Sequence, residues 1–233
     1  MFELILAILA IGLLVFFVPS SLEGRDDKRS NSVKHRKRGE SSERDLLVTL
    51  EKMGIPKSTV FHDLYIEDHR GKSAQIDLVL ITSVGIVVIE VKDYGGWIYG
   101  NANATNWTKV MAYGKNKYKF FNPIKQNAGH ILKLKSKLLQ FKNIPFFSVI
   151  VFYGDCELKE IEYVPENTFV TKQHRLYEVF RYIKKNHPLA PYTDKSEIFS
   201  LFQKAVSDGS FRQNQEKHIT QINNLVGAHR VFK

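Results

Sequence analysis

Two hydrophobic runs, 74–82 (AQIDLVLIT) and 86–92 (IVVIEVK), are separated only by Ser83-Val84-Gly85. Runs that are apolar at successive positions, not alternate ones, mark strands buried on both faces. So short a connection leaves room only for an antiparallel hairpin. The pair therefore belongs inside a sheet that is covered on both sides. Each run nevertheless carries a carboxylate among its apolar residues: Asp77 between Ile76 and Leu78, and Glu90 between Ile89 and Val91. Burying an uncompensated carboxylate costs several kcal/mol. Each of these two needs a cation, a metal ion or good hydrogen-bond donors.

Side chains alternate across a strand, so Glu90 and Lys92 share a face while Val91 points away. Asp77 stands on the neighbouring strand, and hairpin pairing can bring it beside Glu90. Two carboxylates and an ammonium then converge at one end of a rigid sheet. Such a set suits Mg²⁺, which takes oxygen ligands and keeps several waters. The metal lowers the pKa of a bound water, and the lysine orients that water or stabilises charge on a phosphate. The spacing acid-x-Lys is weak alone, since it occurs at Asp26, Glu90 and Glu157. Only the second match ends a buried strand and follows another strand carboxylate. The alternative is a structural ion pair in a core.

The other elements are read from the same periodicities. A helix is expected at 39–53, with Leu46, Leu47 and Leu50 on one side and Gly54-Ile55-Pro56 as its stop. A strand follows at 60–66, and a turn at 68–72. The Gly-, Asn- and aromatic-rich stretch 94–121 is expected to hold small strands around 97–99, 107–112 and 117–121. Pro123 suits the first position of a helix over 124–141. A buried strand at 146–153, a short strand at 167–171 and helices at 176–185 and 195–207 complete the body. That order makes an α/β fold, a mixed sheet flanked by helices.

Residues 2–19 are apolar except for Glu3 and the closing Pro19, and they read as one transmembrane helix at the short end of the spanning range. A secretory signal is the alternative, but it wants a basic start, and here the basic residues follow the run. That bias puts the remainder of the chain on the cytoplasmic side of the cell membrane. Residues 20–38 form a basic linker, whose seven cations are worth about 1 kcal/mol each near anionic lipid. Lys and Arg total 34 against 24 Asp and Glu, a net charge of +10. A basic chain of this kind favours polyanions, nucleic acid or an anionic membrane face. The single cysteine, Cys156, excludes an internal disulfide and a Cys-rich zinc site.

The stretch 75–101 (QIDLVLITSVGIVVIEVKDYGGWIYGN) resembles the nuclease-related domain, often called NERD. The likeness continues through Trp107, Tyr113-Gly114-Lys115 and 122–130 (NPIKQNAGH), and begins upstream near Gly39-Glu40 and Phe61-His62-Asp63-Leu64. That family looks like a branch of the PD-(D/E)xK nuclease superfamily, and several of its members carry a membrane segment. The resemblance implies a restriction-endonuclease-like mixed central sheet, with Asp77 and Glu90 as ligands of Mg²⁺ (or Mn²⁺) and Lys92 as the catalytic lysine. It also implies a helper acid on the first helix, Glu43 before Glu40, and a part for Gln126 of the Gln-Asn…His motif. Gln126 and His130 are four apart and share a helix face. The proline of the superfamily's name is missing, since Ile76 precedes Asp77.

Weaker substrate-binding candidates are Lys115, Lys117, Trp107 and His130; the bland reading of His130 is helix packing. Trp97, Tyr99, Trp107 and Tyr118, interleaved with Lys109, Lys115, Lys117 and Lys119, have the make-up of a base-stacking, phosphate-holding surface; a half-buried sheet edge would show the same aromatics. Asp93-Tyr94-Gly95-Gly96 reads as a substrate loop or an ordinary turn. The expected organisation is a transmembrane helix (2–19), the basic linker (20–38), a core domain (39–155), its C-terminal part (156–210) and a polar tail (211–233). The expected function is a membrane-anchored, metal-dependent nuclease acting on DNA or RNA. The alternative is a silent nucleic-acid-binding or protein-interaction module at the membrane.

Overall fold

The computed structural model describes residues 39–67, 73–111, 114–192 and 194–209. The expected membrane helix, basic linker, 68–72 turn and polar tail lie outside the described residues, as does Tyr113. Among the described residues no helix is long and apolar enough to cross a membrane.

Helix α1 covers 39–52. Six strands follow: β1 (Val60–Glu67), β2 (Ser73–Ile81), β3 (Ile86–Asp93), β4 (Gly96–Asn101), β5 (Asn106–Met111) and β6 (Asn116–Phe121). Then come α2 (Pro123–Lys137), β7 (Phe146–Tyr153), β8 (Cys156–Glu162), β9 (Thr168–Lys172) and α3 (Leu176–Asn186). A last helix, α4, covers 196–209. The main sheet runs β1-β2-β3-β7-β9. Its first three strands are antiparallel and its last three parallel, so the sheet is mixed. A second sheet runs β6-β5-β4-β8. The fold is thus α/β, with mixed sheets flanked by helices.

One strand was not foreseen, and one expected helix ends early. Residues 156–162 (CELKEIE) form strand β8, parallel to β4. The acid-x-Lys at Glu157 therefore lies within a strand, where Lys159 pairs with Glu157. The helix expected over 124–141 ends at Lys137, and a short 3-10 turn, Leu139–Phe141, takes over. Phe141 and Ile144 turn inward there to fill the core.

The hairpin turn closes tightly. Gly85 has φ 150°, and a Cβ there would lie 2.4 Å from the Pro145 carbonyl oxygen. Only glycine lets the β3 entry approach the segment before β7 so closely. The central strands are buried on both sides. One face of β3 packs Val87, Ile89 and Val91 with Leu46 and Leu50 of α1 and Leu176 and Ile183 of α3. The other face begins under α2 and α4, where Ile86 and Val88 meet Leu134, Ile198 and Phe202. Farther along, Ile150 and Phe152 of β7 pack under the second sheet with Ile98 and Trp107. Asn122 joins these parts. Its side-chain oxygen caps α2 by accepting from the Ile124 and Lys125 amides. Its amide nitrogen donates to the carbonyls of Asn101, Ala102 and Ala104.

Candidate functional site

Glu90 and Lys92 are paired in register with Ile150 and Phe152 of β7. Paired residues share a face, so both side chains emerge on the face that α2 and the second sheet cover between them. The β2–β3 ladder runs from Ile81↔Ile86 to Leu78↔Ile89 and stops there. The next rung would set Asp77 against Glu90. Asp77 Oδ2 accepts instead from the Val91 amide at 2.8 Å. The strands part where the two carboxylates meet.

Glu90 is 2% exposed. Its Oε1 accepts from Lys92 Nζ at 2.5 Å, and Lys92 Nζ also donates to Gln126 Oε1 at 3.1 Å. On the same side of α2, His130 Nε2 stands 3.4 Å from Glu90 Oε2. Both of those atoms are buried without a hydrogen-bond partner. Between Gln126 and His130, Asn127 is fully buried and donates to the Val88 carbonyl and to Ser148 Oγ. It fixes α2 against β3 and β7, and so sets the distance of Gln126 and His130 from the carboxylates.

The electrostatics follow from burial and crowding. Burial first, and then the charge of Glu90, push Asp77 up to about 7. The Val91 amide, Lys92 and His130 pull it down and do not cancel the rise. For Lys92, burial acts to lower the pKa. The charge and hydrogen bond of Glu90, helped by Tyr94 and Asp77, outweigh that and leave it above the ordinary lysine value. Lys92 is therefore an ammonium at neutral pH, a donor and not a base.

These residues fit a hard divalent cation. Two carboxylates crowd each other, one buried oxygen of Glu90 makes no hydrogen bond, and Lys92 and His130 face them. Among the described residues no three His, Cys, Asp or Glu side chains gather as a metal-ligand group. Asp77 and Glu90 would supply two ligands and leave the remaining positions to water and substrate, the usual arrangement for Mg²⁺.

The other candidates fall elsewhere. Glu43 is half-buried on α1, the helix that packs on the opposite face, and its charge acts on His62 of β1. Its neighbour Ser42 donates to Asp93 Oδ2 at 2.6 Å and ties α1 to the end of β3. Lys115 and Lys117 are exposed at the β5–β6 turn and the start of β6. Trp107 is 1% exposed. It stacks on Phe152 and donates to the Asn101 carbonyl, so it is a core residue. Its polar neighbours Asn106, Thr108 and Lys109 hid this in the sequence. Gly96 closes the loop from 93 to 96: its φ is 85°, and a Cβ would lie 2.3 Å from the Val110 carbonyl oxygen. That glycine serves the crossing from one sheet to the next. Ser42 and Asn127 were missed as parts of the site, and Tyr94 was seen only as part of a possible substrate loop. An Asn on the buried side of an otherwise apolar helix face was the available signal for Asn127.

Comparison with known proteins bears on the same region. Residues 38–153 match the family described as the nuclease-related domain. This span holds Asp77, Glu90, Lys92, Gln126 and His130. An uncharacterised protein of Bacillus anthracis is 27% identical over 192 residues, which cover 80% of this chain and 84% of that protein. No solved structure matches the chain significantly.

Proposed function

We propose that the nuclease-related domain at residues 38–153 hydrolyses phosphodiester bonds of nucleic acid with a divalent cation, Mg²⁺ or Mn²⁺, held by Asp77 and Glu90. The observation that carries this reading is the buried Glu90 oxygen without a donor beside a second, crowded carboxylate. When bound, the cation supplies Lewis-acid stabilisation of phosphate charge and acidifies a water.

The chain's own residues do the rest. Lys92 keeps its proton and donates toward negative charge developing on the phosphate. Gln126 holds the Lys92 Nζ from α2 and presents an amide that can also meet a water. His130, buried against Glu90, fixes the carboxylate's orientation. Glu43, carried by the helix on the opposite face, is proposed to assist indirectly, through its charge. Lys115 and Lys117 are proposed to meet substrate phosphates, in keeping with the net charge of +10. The apolar run at 2–19 is proposed as a membrane anchor that leaves the domain on the cytoplasmic side.

The test is cleavage by the purified full chain of single-stranded and duplex DNA and RNA, with Mg²⁺, Mn²⁺ or EDTA. We expect metal-dependent cutting, abolished by EDTA and reduced at least roughly a hundredfold by Glu90→Ala or Lys92→Ala. A smaller loss is expected in Glu43→Gln. A wild-type chain that binds nucleic acid but cuts none of it with any metal would establish the silent binding module instead.

A further inference from the structure

The inner face of the second sheet is buried at one end and open at the other. Register pairs Trp107 with Phe120 and Lys109 with Tyr118 across β5 and β6, so these four side chains share the inner face. Trp107 lies in the core, stacked on Phe152. Phe120 meets Tyr94 edge to face at 4.8 Å. One pair farther out, Lys109 Nζ lies over two rings, 4.9 Å from the centre of Tyr94 and 5.4 Å from that of Tyr118. Tyr118 is 50% exposed. At the inner end, the charges of Lys92 and Glu90 act on the Tyr94 hydroxyl, which burial holds above the ordinary tyrosine pKa. A continuous aromatic and cationic row therefore leads from the carboxylates to solvent.

We propose that the Tyr94–Lys109–Tyr118 row is a stacking track that carries a single-stranded nucleic acid to the Asp77–Glu90–Lys92 cluster. This rests on the nuclease reading and specifies its substrate. The argument is one of shape and charge. A ring with a free face takes an unstacked base, whatever that base is. A lysine held between two rings meets the phosphate beside it. A duplex keeps its bases stacked on each other and offers nothing to Tyr118. The lysines of the edge strand β6 also discourage pairing with another chain, but that role calls for no aromatic ladder at their side.

Anisotropy of a labelled oligothymidylate and of a blunt DNA duplex, bound to the full chain in EDTA, tests the track apart from cleavage. We expect the single strand to bind more tightly than the duplex. Tyr118→Ala should weaken the single strand by about tenfold and leave the duplex where it was, while Tyr118→Phe keeps wild-type affinity. Unchanged single-strand binding in Tyr118→Ala overturns the proposal. So does an equal loss for duplex, or a Tyr118→Phe that behaves like Tyr118→Ala. A chain that shows this pattern but never cuts with metal contradicts the nuclease reading and leaves the track standing. One that cuts single and double strands alike, indifferent to Tyr118, does the reverse.

Discussion

Replacing Lys92 with methionine destabilises the chain by about 3–5 kcal/mol at pH 8, the cost of stranding one member of a buried charge pair. Glu90 is 2% exposed and one of its oxygens already lacks a donor. The Lys92 ammonium serves the other. Without it the carboxylate is stranded in a dry site. Methionine keeps the aliphatic bulk of the lysine, so packing changes little. The second half of the expectation is recovery: Glu90→Gln combined with Lys92→Met removes both charges and regains most of the stability. Denaturant midpoints of the single and double variants give both numbers. Equal midpoints in wild type and Lys92→Met would show that Glu90 has another cation.

Asp77→Asn acts in the opposite direction. Crowding and burial raise Asp77 from 3.8 to about 7. A carboxyl that binds its proton more tightly in the folded chain favours folding most below its unfolded pKa. That contribution is lost as pH rises through 4 to 7. Above 7 the wild-type chain holds a strained anion. Asparagine is neutral, and its oxygen can still accept from the Val91 amide. The variant is therefore expected to be more stable than wild type at pH 8 by about 2–4 kcal/mol. The difference shrinks toward zero near pH 4. Thermal melting of the two proteins across that range measures it. A variant less stable than wild type at pH 8 would mean that the Asp77 charge is already compensated. Gains from removing a charge at the proposed metal site would be the stability cost of function.

The hairpin at the centre of these predictions was legible because two local rules agreed. Unbroken apolar runs placed β2 and β3 inside the fold, and the period of two put Glu90 and Lys92 on one face. What local rules could not supply was the parting of the ladder at Asp77, which depends on the Val91 amide across the strand. Strand β8 escaped because CELKEIE has little that is apolar; it pairs through its backbone and buries one side only in part. Trp107 was read as a stacking candidate and is buried, because its environment comes from Phe152, forty-five positions away in the sequence. The contact between Ser42 and Asp93 spans a comparable distance. Such contacts are decided by how layers pack, and no pattern within a single element encodes them.

The most direct measurement is calorimetric titration of Mn²⁺ into the full chain, without nucleic acid, at pH 8 and pH 6. The account predicts saturable binding at pH 8 that Glu90→Gln abolishes. It also predicts roughly tenfold weaker binding at pH 6, where Asp77, with its pKa near 7, holds a proton that the metal must displace. Absence of binding to the wild-type chain, or equal binding in Glu90→Gln, would contradict it.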